Sequence, residues 1–504
     1  MSPKSTLETD VVIIGTGGSG SAAALTAAEG GAKVIVLEEK RFYGGISNMG
    51  MEVFAAESNL QRQNNVPYTK DDAFRIFMQR TKWRADPRLV RAFIDTTAST
   101  IEWLERQGVE FELAPFFLHP DSPICAHLVK TRSGDAGAPG AFATMLKILR
   151  GKAQEKGVEI RFSTRARKLI KGGNRITGVM AEDKSGTAMQ LRAKAVIMAS
   201  GGYLNNKEML KRYGGFEIGR DLFLMEPMEQ TGSGIQMAWE AGAAKGEMAV
   251  AVMSGVPEPK GVRMKTRNLS FVAFQPYLWV NQRGERFIDE ANFVTEYRAN
   301  AIARQKNGCA YCILDGSSKT YLEEKGLDCV PVLAPFTEQA LDIDDIIKLV
   351  RTSGQKNVFV ANSLVELGNE IGISSDVLQK TVDEYNTFCD KGHDDLFAKN
   401  SRFLRPVRTP KFYAFKIRNM AYTTLGGLKI NERANVLDTE GEAIPGLYAA
   451  GDMANEPMSY DVALAHVLRG GPMSFALNTG RIAGKNALKY MGMQSQSMPR
   501  LCDT

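Results

Sequence analysis

The chain has 504 residues, of which 44% are hydrophobic and 24% charged, and its formal net charge at pH 7 is +6. This length exceeds what one simple hydrophobic core supports, so we expect two domains of ordinary globular composition. The positive charges are modest in number and dispersed among acids, without a basic block, which argues against a nucleic-acid partner.

The six cysteines are scattered along the chain, which is not the pattern of a disulfide scaffold. Cys309 and Cys312 have the spacing of half a metal or redox site, but their apolar neighbours favour two core thiols. Residues 1–10 are polar, and no apolar run reaches the length of a bilayer span. We therefore expect no metal, no membrane contact and a cytoplasmic setting.

A dinucleotide-binding pattern opens the chain. The apolar residues 11–14 predict a buried strand, Gly15, Gly17 and Gly20 follow as Gly-x-Gly-x-x-Gly, and the small residues after Gly20 predict a helix. The first glycine permits a tight turn, the second lets the backbone approach a pyrophosphate, and the third lets the helix pack on the strand. The helix N-terminus favours the phosphates.

A second predicted strand at 31–38 ends at Glu38, about where an acceptor for a ribose hydroxyl is expected. A carboxylate at this position suits an unphosphorylated ribose and would repel a 2′-phosphate. The alternative is a glycine-rich turn followed by a surface glutamate, and the complete strand–helix–strand context disfavours it.

The rest of the chain alternates helices with short strands. The predicted helices cover 71–108, 140–156, 231–242 and 365–391, the last divided near Gly372. The predicted strands lie at 158–162, 176–180, 195–199, 278–281 and 285–290 (a hairpin), 426–430 and 444–449. The irregular, aromatic stretch 111–132 either lines a pocket or covers a core.

After the glycine motif and Glu38, six further short segments follow along the chain in this order: Gly44-Gly45, Ala199-Ser200-Gly201-Gly202, 232–234, Arg283-Gly284-Glu285-Arg286-Phe287, Thr424-Leu425-Gly426-Gly427 and 445–452. With them, the chain resembles the flavoprotein family of soluble fumarate reductases, succinate dehydrogenase flavoprotein subunits and 3-ketosteroid dehydrogenases over nearly its whole length. The resemblance implies an α/β fold, in which a split Rossmann-like FAD-binding domain (1–240 and 406–504) contains an inserted α+β capping domain (241–405). The catalytic site is then expected between the two domains.

The resemblance also implies FAD as the cofactor. The positions predicted to bind it are Gly15, Gly17, Gly18, Ser19, Gly20, Glu38, Glu39, Gly44, Gly45, Ser47, Asn48, Met49, Gly50, Met51, Ala166, Ala199, Ser200, Gly201, Asn205, Thr231, Gly232, Gly234, Gly427, Gly451, Asp452, Gly471 and Met473. Ser47 and Asn48 stand where the membrane-complex members carry a flavin-attaching histidine, so we expect non-covalent FAD. Ser233 replaces an aspartate that is usual in the family.

The implied reaction is hydride delivery from N5 of reduced FAD to an activated alkene, with an acid that protonates the neighbouring carbon. In the fumarate reductases this acid is the arginine of a Gly-x-Arg-Phe hairpin, which Arg286 matches. Glu285, Asp289 and Glu290 are candidates for the proton relay that feeds it. The alternative is that Arg286 is a structural ion-pair arginine.

The chain departs from the fumarate reductases where their substrate carboxylates bind. Their His-Pro-Thr is missing from 250–256, and Tyr422 and Thr423 stand where a histidine is usual. Arg469 is a candidate for the second carboxylate-binding arginine, although its spacing is off. These departures disfavour fumarate and favour a bulky, weakly charged small molecule, such as an enone, a cinnamate or an isoflavonoid of the tetrahydrodaidzein type.

Tyr422 and Tyr460 are possible counterparts of the ketosteroid-dehydrogenase tyrosines, and His466 is either an acid–base group or a capping residue. The leading hypothesis is an FAD-dependent reductase of an activated C=C bond. The alternatives are an α,β-dehydrogenase of a cyclic ketone, a fumarate reductase, and a non-catalytic electron-transfer subunit. No second nucleotide fingerprint, haem motif or iron–sulfur spacing is found, which leaves NADH, free reduced flavin or a redox partner as electron donor.

Overall fold

The computed structural model describes residues 3–114, 124–131, 140–225, 229–257, 269–328, 342–354 and 356–493. Its strands are β1 (Ser5–Ile14), β2 (Val34–Leu37), β3 (Glu52–Phe54), β4 (Phe111–Leu113), β5 (Ala126–Val129), β6 (Glu159–Arg161), β7 (Thr164–Gly172), β8 (Arg175–Asp183), β9 (Ala188–Met198), β10 (Phe223–Leu224), β11 (Lys245–Gly255), β12 (Leu278–Asn281), β13 (Cys309–Asp315), β14 (Val358–Ala361), β15 (Phe412–Leu428), β16 (Asn435–Leu437) and β17 (Ala443–Ala449). Its α-helices are Gly18–Glu29, Asn59–Gln63, Lys70–Arg80, Pro87–Arg106, Ala141–Glu155, Lys207–Met209, Ser233–Glu240, Thr295–Ala303, Gly316–Lys325, Ile343–Thr352, Leu364–Ile371, Ser375–Lys391, Glu456–Ser459, Leu464–Val467 and Gly471–Tyr490.

The first sheet has eight strands, with the order β16-β17-β9-β1-β2-β6 and with β8 and β7 attached beyond β9. β1 is parallel to both β2 and β9, so that Val11 pairs with Val34 on one side and with Ala195 on the other. All of β2 and the last four residues of β1 are buried, as expected of parallel strands that are covered on both faces. This is the predicted Rossmann-like core.

The helix Gly18–Glu29 joins β1 to β2 and is buried from Gly18 to Ala28. It packs against the C-terminal helix Gly471–Tyr490. The two helices cross so closely that a Cβ at Gly480 would lie 2.3 Å from the carbonyl oxygen of Ser19. Gly480 therefore allows the helix Gly471–Tyr490 to pack directly against the helix that begins beside the cavity.

The second sheet has six strands, with the order β10-β15-β13-β12 and with β11 and β14 also paired to β15. β10 precedes residue 241 and β15 follows residue 405, so this sheet extends beyond both boundaries predicted for the capping domain. A small third sheet has the order β3-β5-β4 and carries Glu52.

The predicted helices are confirmed in all four regions, including the division near Gly372, whose backbone is left-handed with φ +72°. The predicted hairpin at 278–290 is wrong in its second half, because 285–290 form no strand. The strand predicted at 426–430 instead begins at Phe412 and ends at Leu428. No helix in the described part of the chain has the length and apolar character needed to cross a membrane.

Cys309 and Cys312 are buried in β13, so the prediction of two core thiols is confirmed. Among the residues described, no group of three or more histidine, cysteine or acidic side chains could hold a metal ion. Cys329, Cys502 and most of the aromatic residues of 111–132, including His119, lie outside the described residues.

Candidate active site

A cavity of about 2020 Å³, counting its mouth open to solvent, lies between the two larger sheets. On one side it is lined by residues that follow the carboxyl ends of β1, β2 and β9. On the other side it is lined by Met253 of β11 and by Tyr422 and Thr423 of β15. Ligands of α/β sheets bind at the carboxyl ends of the strands, which is where this cavity lies.

The turn after β1 fits a pyrophosphate. Gly15 has a left-handed backbone, with φ +107°, and a Cβ there would lie 2.3 Å from the carbonyl oxygen of Ala199. The following helix begins at Gly18 with Gly17 as its N-cap and with no side-chain cap. Backbone N–H groups at such an N-terminus suit an anion. The glycine cradle that the sequence predicts is therefore present.

Glu38 lies at the end of β2 and lines the cavity. Its carboxylate accepts hydrogen bonds from the backbone N–H of Thr16 (3.0 Å), the hydroxyl of Thr16 (2.5 Å) and the backbone N–H of Lys40 (2.9 Å). These bonds hold the carboxylate rigidly beside the glycine turn, in the place where a ribose hydroxyl is bound in this type of fold.

Most positions predicted to bind FAD line this cavity. They are Gly15, Gly17, Gly18, Ser19, Glu38, Glu39, Gly45, Ser47, Met49, Gly50, Met51, Ala166, Ala199, Ser200, Gly201, Thr231, Gly232, Gly234, Asp452 and Met473. Ser233 lines it as well. Together with the glycine cradle and the Glu38 carboxylate, this lining fits a bound FAD.

The other predicted FAD positions are not part of the lining. They are Gly20, Gly44, Asn48, Asn205, Gly427, Gly451 and Gly471. A Cβ at Gly20 would lie 2.0 Å from the carbonyl oxygen of Gly15, and one at Gly451 would lie 2.6 Å from the Ser19 hydroxyl. Asn205 and Gln230 exchange two hydrogen bonds of 2.9 Å. Gly20, Gly451 and Asn205 therefore support the cavity wall rather than form it.

A polar network lies in the wall near β15. The Thr423 hydroxyl donates a hydrogen bond to Asp452 (2.5 Å) and lies 3.2 Å from the side-chain oxygen of Gln230. Burial raises the pKa of the Asp452 carboxyl to about 6, although the hydrogen bond from Thr423 opposes this shift. Thr423 and Gln230 were not predicted as site residues, although each is next in sequence to a predicted one, Tyr422 and Thr231 respectively.

Tyr422 is placed by an irregularity in the second sheet. Ala251 of β11 pairs with Thr423 and the next residue, Val252, pairs with Ala421, so Tyr422 is the extra residue of a β-bulge. Such bulges re-aim side chains beside active sites, and Tyr422 lines the cavity. Desolvation, together with the negative charges of Glu296 and Asp452, raises the pKa of the Tyr422 hydroxyl well above its ordinary value.

Arg286 does not line the cavity. It is enclosed in a cluster with two acids, forming hydrogen bonds to Glu290 at 3.0 and 2.9 Å and to Asp394 at 3.0 and 2.8 Å. Lys399 completes the cluster, 3.2 Å from Glu290. Burial alone would lower the pKa of Arg286, but Asp394 and Glu290 raise it above the ordinary value, which makes it a poorer acid. This placement favours the structural alternative for Arg286 and Glu290.

Arg469 also has an internal partner. Its guanidinium donates a hydrogen bond to Glu52, a cavity-lining residue that begins β3. The exposed fractions of the Arg469 and Glu52 side chains are 5% and 11%. The carboxylate that Arg469 binds in this structure is therefore one of the protein's own.

The remaining predicted groups lie apart from the cavity wall or outside the description. Tyr460 donates a hydrogen bond to Glu456 (2.8 Å) and packs against Arg84, and it does not line the cavity. His466 belongs to the helix Leu464–Val467, but its side chain lies outside the described residues. The irregular stretch 111–132 contributes His127, which is buried against Ser58 with its pKa lowered by burial to about 4.

Comparison with known proteins identifies the family. A family model described as an FAD binding domain matches residues 10–461. The chain belongs to this FAD-binding family. The resemblance to the fumarate reductase flavoproteins is confirmed, FAD is the cofactor, and the protein is an FAD-dependent oxidoreductase of the group that acts on carbon–carbon bonds.

The chain is 33% identical over 497 residues to a vinyl phenol reductase of Lactiplantibacillus plantarum, covering 96% of this chain and 97% of that protein. It is 27% identical to a fumarate reductase (cytochrome) of Shewanella frigidimarina, covering 95% of this chain and 77% of the relative. A solved 3-ketosteroid Δ1-dehydrogenase from Sterolibacterium denitrificans matches with a TM-score of 0.75 and 18% identity, covering 96% of this chain and 99% of that one. The structural match confirms the Rossmann-like α/β fold.

Proposed function

We propose that the protein reduces the activated C=C bond of an uncharged, largely apolar substrate, such as a vinylphenol or a bulky enone. The observation that carries this proposal is the charge of the cavity wall. Within the described lining the cations are Lys40 and Arg165, which pair with Glu229 and Glu39. Arg469, the arginine expected to bind a substrate carboxylate, pairs with Glu52.

A carboxylate leaving water needs a cation in the protein, because an unpaired buried charge is strongly destabilising. The acids Glu52 and Asp452 in the lining would add repulsion. An uncharged alkene has neither cost. This reasoning agrees with the loss of the histidines that the fumarate reductases carry, and it disfavours fumarate as the substrate.

The lining also supports an apolar substrate. Three methionines outside the predicted FAD positions contribute to it, namely Met225, Met237 and Met253. Methionine side chains are flexible and polarizable and adapt to irregular apolar surfaces and aromatic rings. The vinyl phenol reductase of Lactiplantibacillus plantarum, 33% identical to this chain, is named for such an aromatic alkene.

When bound and reduced, FAD supplies a hydride, which brings two electrons to one carbon of the double bond. We assign the proton for the other carbon to the hydroxyl of Tyr422, which lines the cavity at the β15 bulge. The support for this assignment is the position of Tyr422 in the cavity wall, since burial raises the pKa of its hydroxyl and by itself makes the phenol a weaker acid.

The proposal is tested with the purified holoenzyme, reduced with dithionite under anaerobic conditions so that the natural electron donor is not needed. Reoxidation of the flavin is followed after adding 4-vinylphenol, a cyclic enone or fumarate. We expect fast reoxidation with the uncharged alkenes and little with fumarate. Fast reoxidation by fumarate alone would overturn the proposal, and bleaching of the oxidised enzyme by saturated ketones would replace it with the dehydrogenase.

A further inference from the structure

The ion pair between Glu52 and Arg469 joins two distant parts of the chain at the cavity wall. Glu52 is the first residue of β3, and Arg469 lies between the helix Leu464–Val467 and the helix Gly471–Tyr490. Glu52 lines the cavity and accepts a hydrogen bond from the Arg469 guanidinium. Both side chains are almost withdrawn from solvent, so water screens the attraction between these two charges only weakly.

The backbone fixes this pairing. Gly470 has a left-handed backbone, with φ +78°, and a Cβ there would lie 2.7 Å from the backbone nitrogen of Phe54. That nitrogen donates a hydrogen bond to the carbonyl oxygen of Gly470 (3.3 Å). The residue before Gly470 is therefore held against β3, where Glu52 begins, and the carboxylate and the guanidinium meet without any rearrangement of the wall.

The position of this pair matters for substrate charge. Gly470, Pro472 and Met473 follow Arg469 and line the cavity, as does Met51 before Glu52. The other two cations of the described lining, Lys40 and Arg165, have acidic partners near the Glu38 end of the cavity. A carboxylate that entered near β3 would meet the Glu52 carboxylate, and the Arg469 guanidinium beside it is already engaged by that group.

We propose that Glu52 is a specificity-determining residue, which engages Arg469 and thereby excludes alkenes that carry a carboxylate. This inference rests on the proposed function and deepens it, because it names the residue that restricts the reductase to uncharged substrates. Neutralising Glu52 leaves a guanidinium beside the cavity without its internal carboxylate. A substrate carboxylate then meets no like charge at this wall and forms a charge-assisted hydrogen bond with Arg469.

The test uses the holoenzymes of wild type, Glu52→Gln, Arg469→Met and the double variant. The substrates are 4-vinylphenol and 4-hydroxycinnamate, which differ by one carboxylate. We expect Glu52→Gln to raise kcat/KM for 4-hydroxycinnamate about ten-fold or more, the gain expected of a new charge-assisted hydrogen bond. The double variant should lose this gain. Glu229→Gln removes another acid of the lining, one paired with Lys40, and should not produce it.

An unchanged rate with 4-hydroxycinnamate in Glu52→Gln, or a gain that persists in the double variant, would overturn the inference. If Glu52→Gln is too unstable to assay, thermal unfolding of that variant is measured with benzoate and with benzyl alcohol. Benzoate should raise its melting temperature more than benzyl alcohol does, and should leave the wild type unchanged. Equal effects of the two compounds on both proteins would contradict the proposal.

The two proposals fail separately. If the wild type does not reduce 4-vinylphenol, the proposed function is wrong, whatever the variants do. Benzoate binding to Glu52→Gln is read from the melting temperature and from the perturbation of the flavin spectrum, neither of which needs turnover. If the wild type reduces 4-vinylphenol but the Glu52→Gln variant neither reduces 4-hydroxycinnamate nor binds benzoate, only the role of Glu52 is refuted.

Discussion

Arg286 and Asp394 form two parallel hydrogen bonds of 3.0 and 2.8 Å, although they are 108 positions apart in the chain. The Arg286 side chain is 1% exposed and that of Asp394 is completely buried. The guanidinium also lies 5.0 Å from the ring centres of Tyr385 and Phe397. This contact ties the turn after β12 to the segment that follows the helix Ser375–Lys391, within the second sheet's layer.

The first prediction concerns this cluster. Arg286→Met leaves Glu290 and Asp394 with too little positive charge, and breaking a buried pair in this way costs about 3–5 kcal/mol. We expect the free energy of unfolding to fall by that amount in denaturant titrations, while the folded fraction keeps its flavin and reduces 4-vinylphenol. A stable Arg286→Met protein with no turnover would instead support the role of Arg286 as the proton donor.

Arg283→Met is the matched control, because Arg283 lies on the same turn and pairs with Glu285 at 2.8 Å. Its side chain is 72% exposed, so this ion pair is worth little. The free energy of unfolding should change by less than about 0.5 kcal/mol.

The second prediction concerns the proton donor. Tyr422→Phe removes the hydroxyl at the β15 bulge but keeps the ring, so FAD binding and the melting temperature should change little. Loss of a positioned acid lowers the rate about 10²- to 10⁴-fold, and we expect this in flavin reoxidation by 4-vinylphenol. Tyr460→Phe, outside the cavity lining, should keep the wild-type rate. A Tyr422→Phe enzyme at full rate would remove Tyr422 from the mechanism.

The third prediction concerns FAD affinity. Glu38 accepts three hydrogen bonds from the turn beside it, so Glu38→Gln weakens both the turn and the acceptor for the ribose. We expect the dissociation constant of FAD, measured by fluorescence quenching, to rise about ten-fold or more. Glu159→Gln is the control, since Glu159 does not line the cavity, is 47% exposed and lies 2.6 Å from Arg161. Equal losses in the two variants would show that Glu38 has no special role.

The fourth prediction concerns pH. The Asp452 carboxyl has a pKa of about 6 in the folded protein because it is buried, against about 4 in an unfolded chain. The native state therefore binds more protons between these values, and its stability falls as the pH rises from about 4 through 6. The loss attributable to Asp452 is at most about 3 kcal/mol.

This contribution is isolated by comparing wild type with Asp452→Asn, both stripped of FAD, in denaturant titrations from pH 5 to pH 8. Relative to wild type, the variant should gain stability as the pH rises, since its side chain carries no charge. Parallel curves for the two proteins would mean that Asp452 keeps an ordinary pKa in the native state.

The glycine turn was predictable because its signal is local. The strand, the three glycines and Glu38 lie within 28 residues of each other in the sequence, 11–38, and each has its own physical requirement. The packing role of Gly20 was predictable from the same motif, but the supporting role of Gly451 was not, because it depends on which atoms a Cβ at that position would meet.

The placement of charged residues was not predictable for a different reason. The hairpin pattern of 278–290, with its turn at 281–284, predicts a second strand at 285–290, but Arg286 and Glu290 are buried with Asp394 and Lys399. These partners lie more than 100 residues later and leave no trace in the local pattern. Arg469 likewise finds its carboxylate 417 positions earlier. A sequence motif can mark a charged residue as a candidate for a functional role. Only the tertiary structure shows whether that residue faces a ligand or pairs with another residue of the protein.

The most direct test of the account compares two substrates of the reduced wild-type holoenzyme under anaerobic conditions in a stopped-flow instrument. 4-Vinylphenol and 4-hydroxycinnamate share the ring and the double bond and differ by one carboxylate. If the cavity excludes carboxylates, flavin reoxidation by 4-vinylphenol should be about 100-fold faster or more, because the buried charge finds no partner. Equal rates, or faster reoxidation by 4-hydroxycinnamate, would contradict the account.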